Sequence, residues 1–240
     1  MRAIKGKQSG QKRQVTGRAG GARSVWLRES RAAREQPPLT RARIVGEAVA
    51  LLDEEGIDGL TMRRLAERIG SGVTTLYWHV DTKDDVVDLA LDAIFGELPP
   101  APPADAEWRA AIVELLLDWR TAMLRHPWSA ALLQRPTLGP NLLARMEFLQ
   151  ATLVRAGFGG DHLPTATWTL YNYLMGATVA RSGFALSEED REAAQQRLRE
   201  RSEEYPTLSA NEYMLEDDWD GTFVRGLGYV LDGIAGAAGR

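Results

Sequence analysis

From Leu39 onward apolar residues recur at helical spacing almost without interruption. Ile44, Ala48, Leu51 and Leu52 fall at i, i+4, i+7 and i+8, one stripe of a helix that stops at Gly56. Thr61 is placed to cap a second, short helix ending at Ile69-Gly70, with Leu60 and Leu65 spaced as a hydrophobic staple. A third runs from about Gly72 to His79. Thr82 followed by Asp85 forms a capping-box start for a fourth, Asp84–Gly96, whose apolar face is Val86, Ala90 and Ile94.

The Pro99-Pro100-Ala101-Pro102-Pro103 run interrupts this periodicity and is read as a domain boundary. Beyond it Trp108, Ile112, Leu115, Leu116, Trp119 and Met123 form a long stripe that ends at His126-Pro127. Leu142, Met146, Leu149 and Leu153 mark the next helix. Pro164 to Phe184 is apolar nearly all round and is expected to be central, with one face in the core and one toward a partner copy. Glu188 to Glu204 is almost wholly charged and must be solvated, and a last helix near Asp218 to Ala237 carries Phe223, Leu227, Val230 and Ile234. No alternating strand pattern of useful length interrupts the series. The expected fold is all-α, with residues 39–98 forming a helix-turn-helix block plus a connecting helix, and 104–240 a larger helical domain.

Composition narrows the chemistry. The 240 residues include no cysteine, which excludes disulfides, thiolate metal sites and a Cys nucleophile. No stretch approaches the roughly 20 apolar residues of a membrane-spanning helix, and the start does not resemble a secretory signal, so a cytoplasmic protein is expected. Charge is distributed unevenly: residues 1–38 hold ten basic residues against Glu29 and Glu35, while the chain as a whole carries −4. This leader reads as a disordered arm attracted to polyanions, or as a leftover leader or misassigned start. The three histidines, His79, His126 and His162, show no metal-binding or hydrolase spacing, so neither metal nor cofactor is expected and the chain is not read as an enzyme. His79 is expected at a phosphate or in helix packing, His126 in a helix cap, and His162 in an exposed loop.

Thr61–Ile69 and Gly72–His79, joined by a tight glycine-containing turn, match a helix-turn-helix, which places its second helix in the DNA major groove. Leu65, Ala66 and Leu76 would join the two helices, leaving Val73, Thr74 and Tyr77 outward. Spacing alone also fits an ordinary helical hairpin. The wording is more specific. Gly59-Leu60-Thr61-Met62-Arg63-Arg64-Leu65-Ala66, followed by Thr75-Leu76-Tyr77-Trp78-His79-Val80 and Lys83, resembles the TetR family of bacterial transcriptional regulators, and Leu76–Val80 resembles its tetracycline-repressor branch. Trp119-Arg120, His126-Pro127, Phe223-Val224-Arg225-Gly226-Leu227 and Leu231-Asp232-Gly233 extend the resemblance more weakly.

The resemblance implies DNA-binding roles for Thr61, Met62, Arg63, Val73, Thr74, Thr75, Tyr77, Trp78, His79 and Lys83. Arg63 would reach a guanine edge, Val73 and Thr74 would sit in the base-reading first turn, and Thr61, Thr75, Tyr77, Trp78, His79 and Lys83 would contact or frame the backbone. Tetracycline repressors have Gln-Pro where Val73-Thr74 stand, so a different operator is implied. It further implies a homodimer on a palindromic operator, released by a small-molecule effector. The candidate effector residues are Trp119, Met123, Trp128, Met146, Trp168, Tyr171, Asn172 and Met175, with Thr178 and Arg181 as further polar handles; ordinary core filling is the other reading of each. The histidines that serve tetracycline–magnesium are missing from Asp84–Gly96 and Trp128–Pro136, which implies a different, metal-free effector. A DNA-binding or architectural protein whose helical domain only dimerises is the alternative.

Overall fold

A computed structural model describes residues 39–103, 105–133, 138–183, 186–215 and 218–238. The expected arm, 1–38, lies outside the described residues. Among those described, every regular element is a helix.

Helix α1 (Arg41–Gly59) starts at Thr40, whose hydroxyl accepts from the Arg43 amide at 3.2 Å. Its regular run breaks at Gly56, as expected. Gly56 takes φ 70°, a left-handed value open to glycine, and one further turn follows the resulting kink. Helix α2 (Met62–Ile69) is capped by Thr61, whose hydroxyl accepts from the Arg64 amide. It closes on a left-handed Gly70, with the Ser71 amide donating back to Ala66 O at 2.9 Å. Helix α3 (Val73–Leu76) is shorter than the expected Gly72–His79, because Tyr77 to His79 continue as turns. Leu65, Ala66, Ile69 and Leu76 are buried together with Ile44, Ala48 and Leu52 of α1, fixing the three helices as one block.

Helix α4 (Lys83–Gly96) opens on the full capping box expected from Thr82 and Asp85. It packs on α1 and on α7 (Pro140–Arg155), linking the first block to the rest. Its far end is held reciprocally. Asp92, buried on α4, accepts from the Asn141 and Leu142 amides and from the Asn141 side chain, capping the start of α7. In return Arg145 of α7 donates to Phe95 O at 3.3 Å and Pro99 O at 2.6 Å, satisfying carbonyls where α4 ends. The approach is so close that a Cβ on Gly139 would lie 2.1 Å from Asp92 Oδ1. Burial lowers the Arg145 pKa, against the raising influence of Asp118, and raises that of Asp118.

Helix α5 (Trp108–Arg125) carries the long apolar stripe, with Ile112, Leu115, Leu116, Trp119 and Met123 fully buried. A five-residue α6 (Trp128–Leu132) follows His126-Pro127. The expectation that 164–184 is central holds for one face only. On α8 (His162–Gly183), Ala166, Leu170, Leu174 and Thr178 are buried, whereas Trp168, Asn172, Gly176 and Val179 form an exposed stripe. Helix α9 (Glu188–Glu200) is solvated as its charge requires, except for the fully buried Gln195. That amide donates to Ser209 O and accepts from Met214 N, folding α10 (Pro206–Ala210) back on α9. Helix α11 (Trp219–Ala238) packs on α8, where Tyr173 stacks on Phe223 and donates to its carbonyl at 2.8 Å. Arg120 of α5 lies over the other partner of this stack, Phe223, with Asp220 at 2.7 Å.

Candidate nucleic-acid interface

Burying Leu65, Ala66 and Leu76 turns the opposite faces of α2 and α3 outward. Thr61, Arg63, Thr74, Thr75, Tyr77 and Trp78 are exposed there, with Trp78 at 83 % the most exposed large apolar residue of the described chain. Met62, Val73 and His79 are half-buried, and Met62 and Val73 pack against the core. Valine 73 is thus less outward than its spacing suggests, since the helix that carries it is a single turn. Lys83 is turned back, its Nζ donating to Ile57 O at 3.0 Å.

The cations of this block engage their neighbours. Arg63 pairs with Glu67 at 2.9 Å, Arg64 with Glu55, and Arg68 with Glu47 and Glu54; Arg43 donates to Ile69 O. Hydrogen bonding to Glu67 raises the Arg63 pKa, and bonding to Glu54 and Glu47 raises that of Arg68. The ion pairs among these are at least partly solvent-exposed, so each adds little to stability. Counting Leu39 to Lys83, six basic residues stand against seven acidic ones.

The candidate effector residues differ widely in burial. Trp119 and Met123 are fully buried, and Trp128 is buried. Met146, Tyr171 and Met175 are half-buried against the core, whereas Trp168 and Asn172 are exposed. Of the further handles, Thr178 is buried and bonds its own helix at Leu174 O, and Arg181 is exposed. Two concave regions, about 610 Å³ beside Glu189, Gln195 and Arg199 and about 270 Å³ beside Phe95, Pro99 and Arg145, contain none of the eight. Among the described residues, the buried polar atoms without a hydrogen-bond partner include Trp119 Nε1 and Ser129 Oγ.

Two family models match the chain. Residues 44–90 match the bacterial regulatory proteins of the tetR family, and 99–237 match the tetracyclin repressor-like C-terminal domain. The chain belongs to the TetR family. It is 43 % identical over 219 residues to an HTH-type transcriptional regulator of Saccharopolyspora erythraea, covering 90 % of this chain and 93 % of that one. Identity to the HTH-type transcriptional repressor DrrR1 of Streptomyces coeruleorubidus is 34 %, covering 83 % and 78 % of the two chains. The Streptomyces coelicolor TetR family protein ActR, solved in complex with actinorhodin, superposes with a TM-score of 0.74 at 27 % identity, over 85 % of this chain and all of that one.

As a TetR-family regulator the chain has an N-terminal helix-turn-helix domain and a larger C-terminal helical domain. No described helix is long and apolar enough to cross a membrane. Two groups escaped the sequence reading. Asp53, on the outer side of α1, accepts from Trp128 Nε1 at 2.6 Å and His126 Nδ1 at 2.7 Å, and Asp92 joins α4 to α7. His126 does stand at the C-cap of α5, but its ring is committed to Asp53. Nothing in the local pattern marks either carboxylate, because their partners lie 49 to 75 positions away.

Proposed function

We propose that this protein is a dimeric, ligand-released repressor. Its recognition surface is the outer face of α2 and α3, and its operator is palindromic. The observation that carries this reading is the exposed Arg63–Thr74–Tyr77–Trp78 face on helices whose inner sides are fully buried. Arg63, released from Glu67, supplies a guanidinium fork for guanine; Thr74 offers a hydroxyl and a methyl, and Val73 methyls suited to thymine. Thr61, Met62, Thr75, Tyr77, Trp78, His79 and Lys83 frame the backbone.

The dimer face is the exposed stripe of α8, Trp168, Asn172, Gly176 and Val179, beside Tyr229, Gly233 and Gly236 of α11. Small residues among large ones allow two copies to approach closely, as an isologous interface requires. Two recognition units would then stand roughly 34–36 Å apart, one DNA turn.

The effector site lies among Trp119, Met123, Trp128, Met146, Tyr171 and Met175, and an effector carrying hydrogen-bond acceptors would satisfy Trp119 Nε1. An orphaned buried donor costs about 1–3 kcal/mol, so pairing it favours the bound state. The complex of ActR with actinorhodin supports a small-molecule effector for this chain too.

The test is a gel shift against the DNA upstream of the protein's own gene, with Arg63→Ala alongside. Losing a bidentate guanine contact costs about 1–3 kcal/mol, roughly 5- to 150-fold in affinity. A shift that depends on a palindrome and weakens by this amount supports the reading. Binding indifferent to both the palindrome and Arg63 removes it.

A further inference from the structure

From Thr61 to His79, the stretch that carries the outer face of α2 and α3, Glu67 is the one acidic residue. A carboxylate there repels every phosphate that approaches, which lowers affinity for DNA of any sequence. Its place on a face otherwise made of cations, hydroxyls and aromatics therefore calls for a reason.

The three arginines of α2 are of two kinds. Arg64 reaches Glu55 and Gly59 O, while Arg68 forks over Glu54 at 2.6 and 2.7 Å and donates its Nε to Glu47. Those partners all belong to α1, so these bonds fasten α2 to α1. Arg63 is different. Its Nε donates to Glu67 Oε1 at 2.9 Å, within the same helix, and the two side chains are 83 % and 62 % exposed. This pair joins no second element.

Nor does it serve the helix that carries it. The favourable order on a helix puts the acid four residues before the base, and here the arginine comes first. Arg63 also stands in the first turn of α2, a turn without acidic residues, where a cation opposes the helix dipole. A pair so exposed adds little to stability. Its hold on Arg63 is weak, and it engages the guanidinium through Nε alone.

A weak internal partner discriminates among external ones. Guanine presents O6 and N7 together, and a bidentate fork displaces the single bond to Glu67. Adenine and thymine present one major-groove acceptor each, and a phosphate must compete with a carboxylate already in place. We propose that Glu67 is a specificity-determining residue, which retains Arg63 on DNA without the matching guanine and yields it to guanine. It thereby denies non-operator DNA one phosphate contact, while weakening operator binding less. The inference rests on the reading of α2 and α3 as the recognition surface, and its test separates the two.

The full chain is titrated with two duplexes of equal length over a series of salt concentrations, followed by fluorescence anisotropy. One is the upstream DNA of the gel shift; the other is an alternating adenine–thymine duplex, which has no guanine. Glu67→Gln keeps the shape of the side chain without its charge. It should raise affinity for the guanine-free duplex about two- to fivefold, the scale of one unit charge roughly 4 to 8 Å from a phosphate in water. The log–log salt slope on that duplex should steepen by about 0.9, one added phosphate contact. Affinity for the upstream duplex should change less, so the ratio of the two affinities falls. Glu67→Ala should repeat this result. In an Arg63→Ala background, Glu67→Gln should leave the slope as it was, since no guanidinium is set free. A ratio and slope unaltered by Glu67→Gln overturn the proposal. So does a slope gain that persists without Arg63, which would reduce Glu67 to a repelling charge. If Arg63→Ala weakens the upstream complex while Glu67→Gln moves neither quantity, this inference alone falls; if Arg63→Ala leaves that complex unaltered, the recognition reading falls and this inference with it.

Discussion

The outer face of α2–α3 and the outer face of α8–α11 both leave large apolar side chains in water, yet they are built differently. On α2–α3, Trp78 and Tyr77 stand among Arg63, Thr61, Thr74 and Thr75 at a tight turn, where a helix of one turn gives way to irregular backbone. On α8 and α11, Trp168, Val179 and Tyr229 (77 % exposed) sit on helices of 22 and 20 residues, interspersed with glycines. The first surface mixes hydrogen-bond donors with aromatics, which suits a charged partner. The second runs along two long helices where glycines alternate with large apolar residues, beside exposed Arg225 and Asp232. Exposure alone does not distinguish the two; composition and helix length do.

The comparison can be broken at its foundation. Leu76 is fully buried and is the inner anchor of α3, opposite Thr74 and Tyr77. Leu76→Ala should destabilise the block by about 2–5 kcal/mol, measured by denaturant unfolding, and abolish the gel shift through disorder of the outer face. A stable, DNA-binding Leu76→Ala variant would mean that α3 does not present the surface.

A smaller effect sharpens the other side. Val179 is exposed in the single chain, so Val179→Glu should leave its fold intact while setting like charges against each other across a two-fold axis. At least a tenfold rise in the dimer dissociation constant, about 1.4 kcal/mol, is expected in analytical ultracentrifugation. An unchanged constant would place the dimer face elsewhere.

The smallest effect at moderate salt concerns what the α2–α3 face lacks. Its cations are paired internally and its block is close to neutral, whereas residues 1–38 carry ten basic residues against two acidic ones. Removing residues 1–36 should flatten the salt dependence of DNA binding, each lost phosphate contact reducing the log–log slope by about 0.9. An unchanged slope would assign the phosphate contacts to the helices after all.

Much of this architecture was legible along the chain. Thr61 and Thr82 announce helix starts, since a cap is a contact with an amide three residues on, and both bonds form as spaced. The stripes of Ile44–Leu52 and Trp108–Met123 fixed which faces are inward. Helices α6 and α10 were not legible, because five residues are too few to establish a period. The all-apolar 164–184 segment was legible only in part: its pattern suggests one face in the core and one for a partner, and within the chain one face alone is buried.

The candidate residues divide in the same way. Thr74, Tyr77 and Trp78 could be placed outward because they fall off the stripe that Leu65 and Leu76 define. The effector candidates could not be placed, since Trp119 and Trp168 read alike in sequence while one is fully buried and the other 58 % exposed.

The sequence by itself determined the helical class, the caps, the recognition motif and the family, because each depends on residues within a few positions of one another. Tertiary structure alone decided that Asp53 bonds Trp128 and His126, and that Asp92 and Arg145 lock α4 to α7. Those pairings join residues 46 to 75 positions apart. Each depends on a charged group meeting hydrogen-bond partners brought in from distant helices, a condition that no local pattern carries.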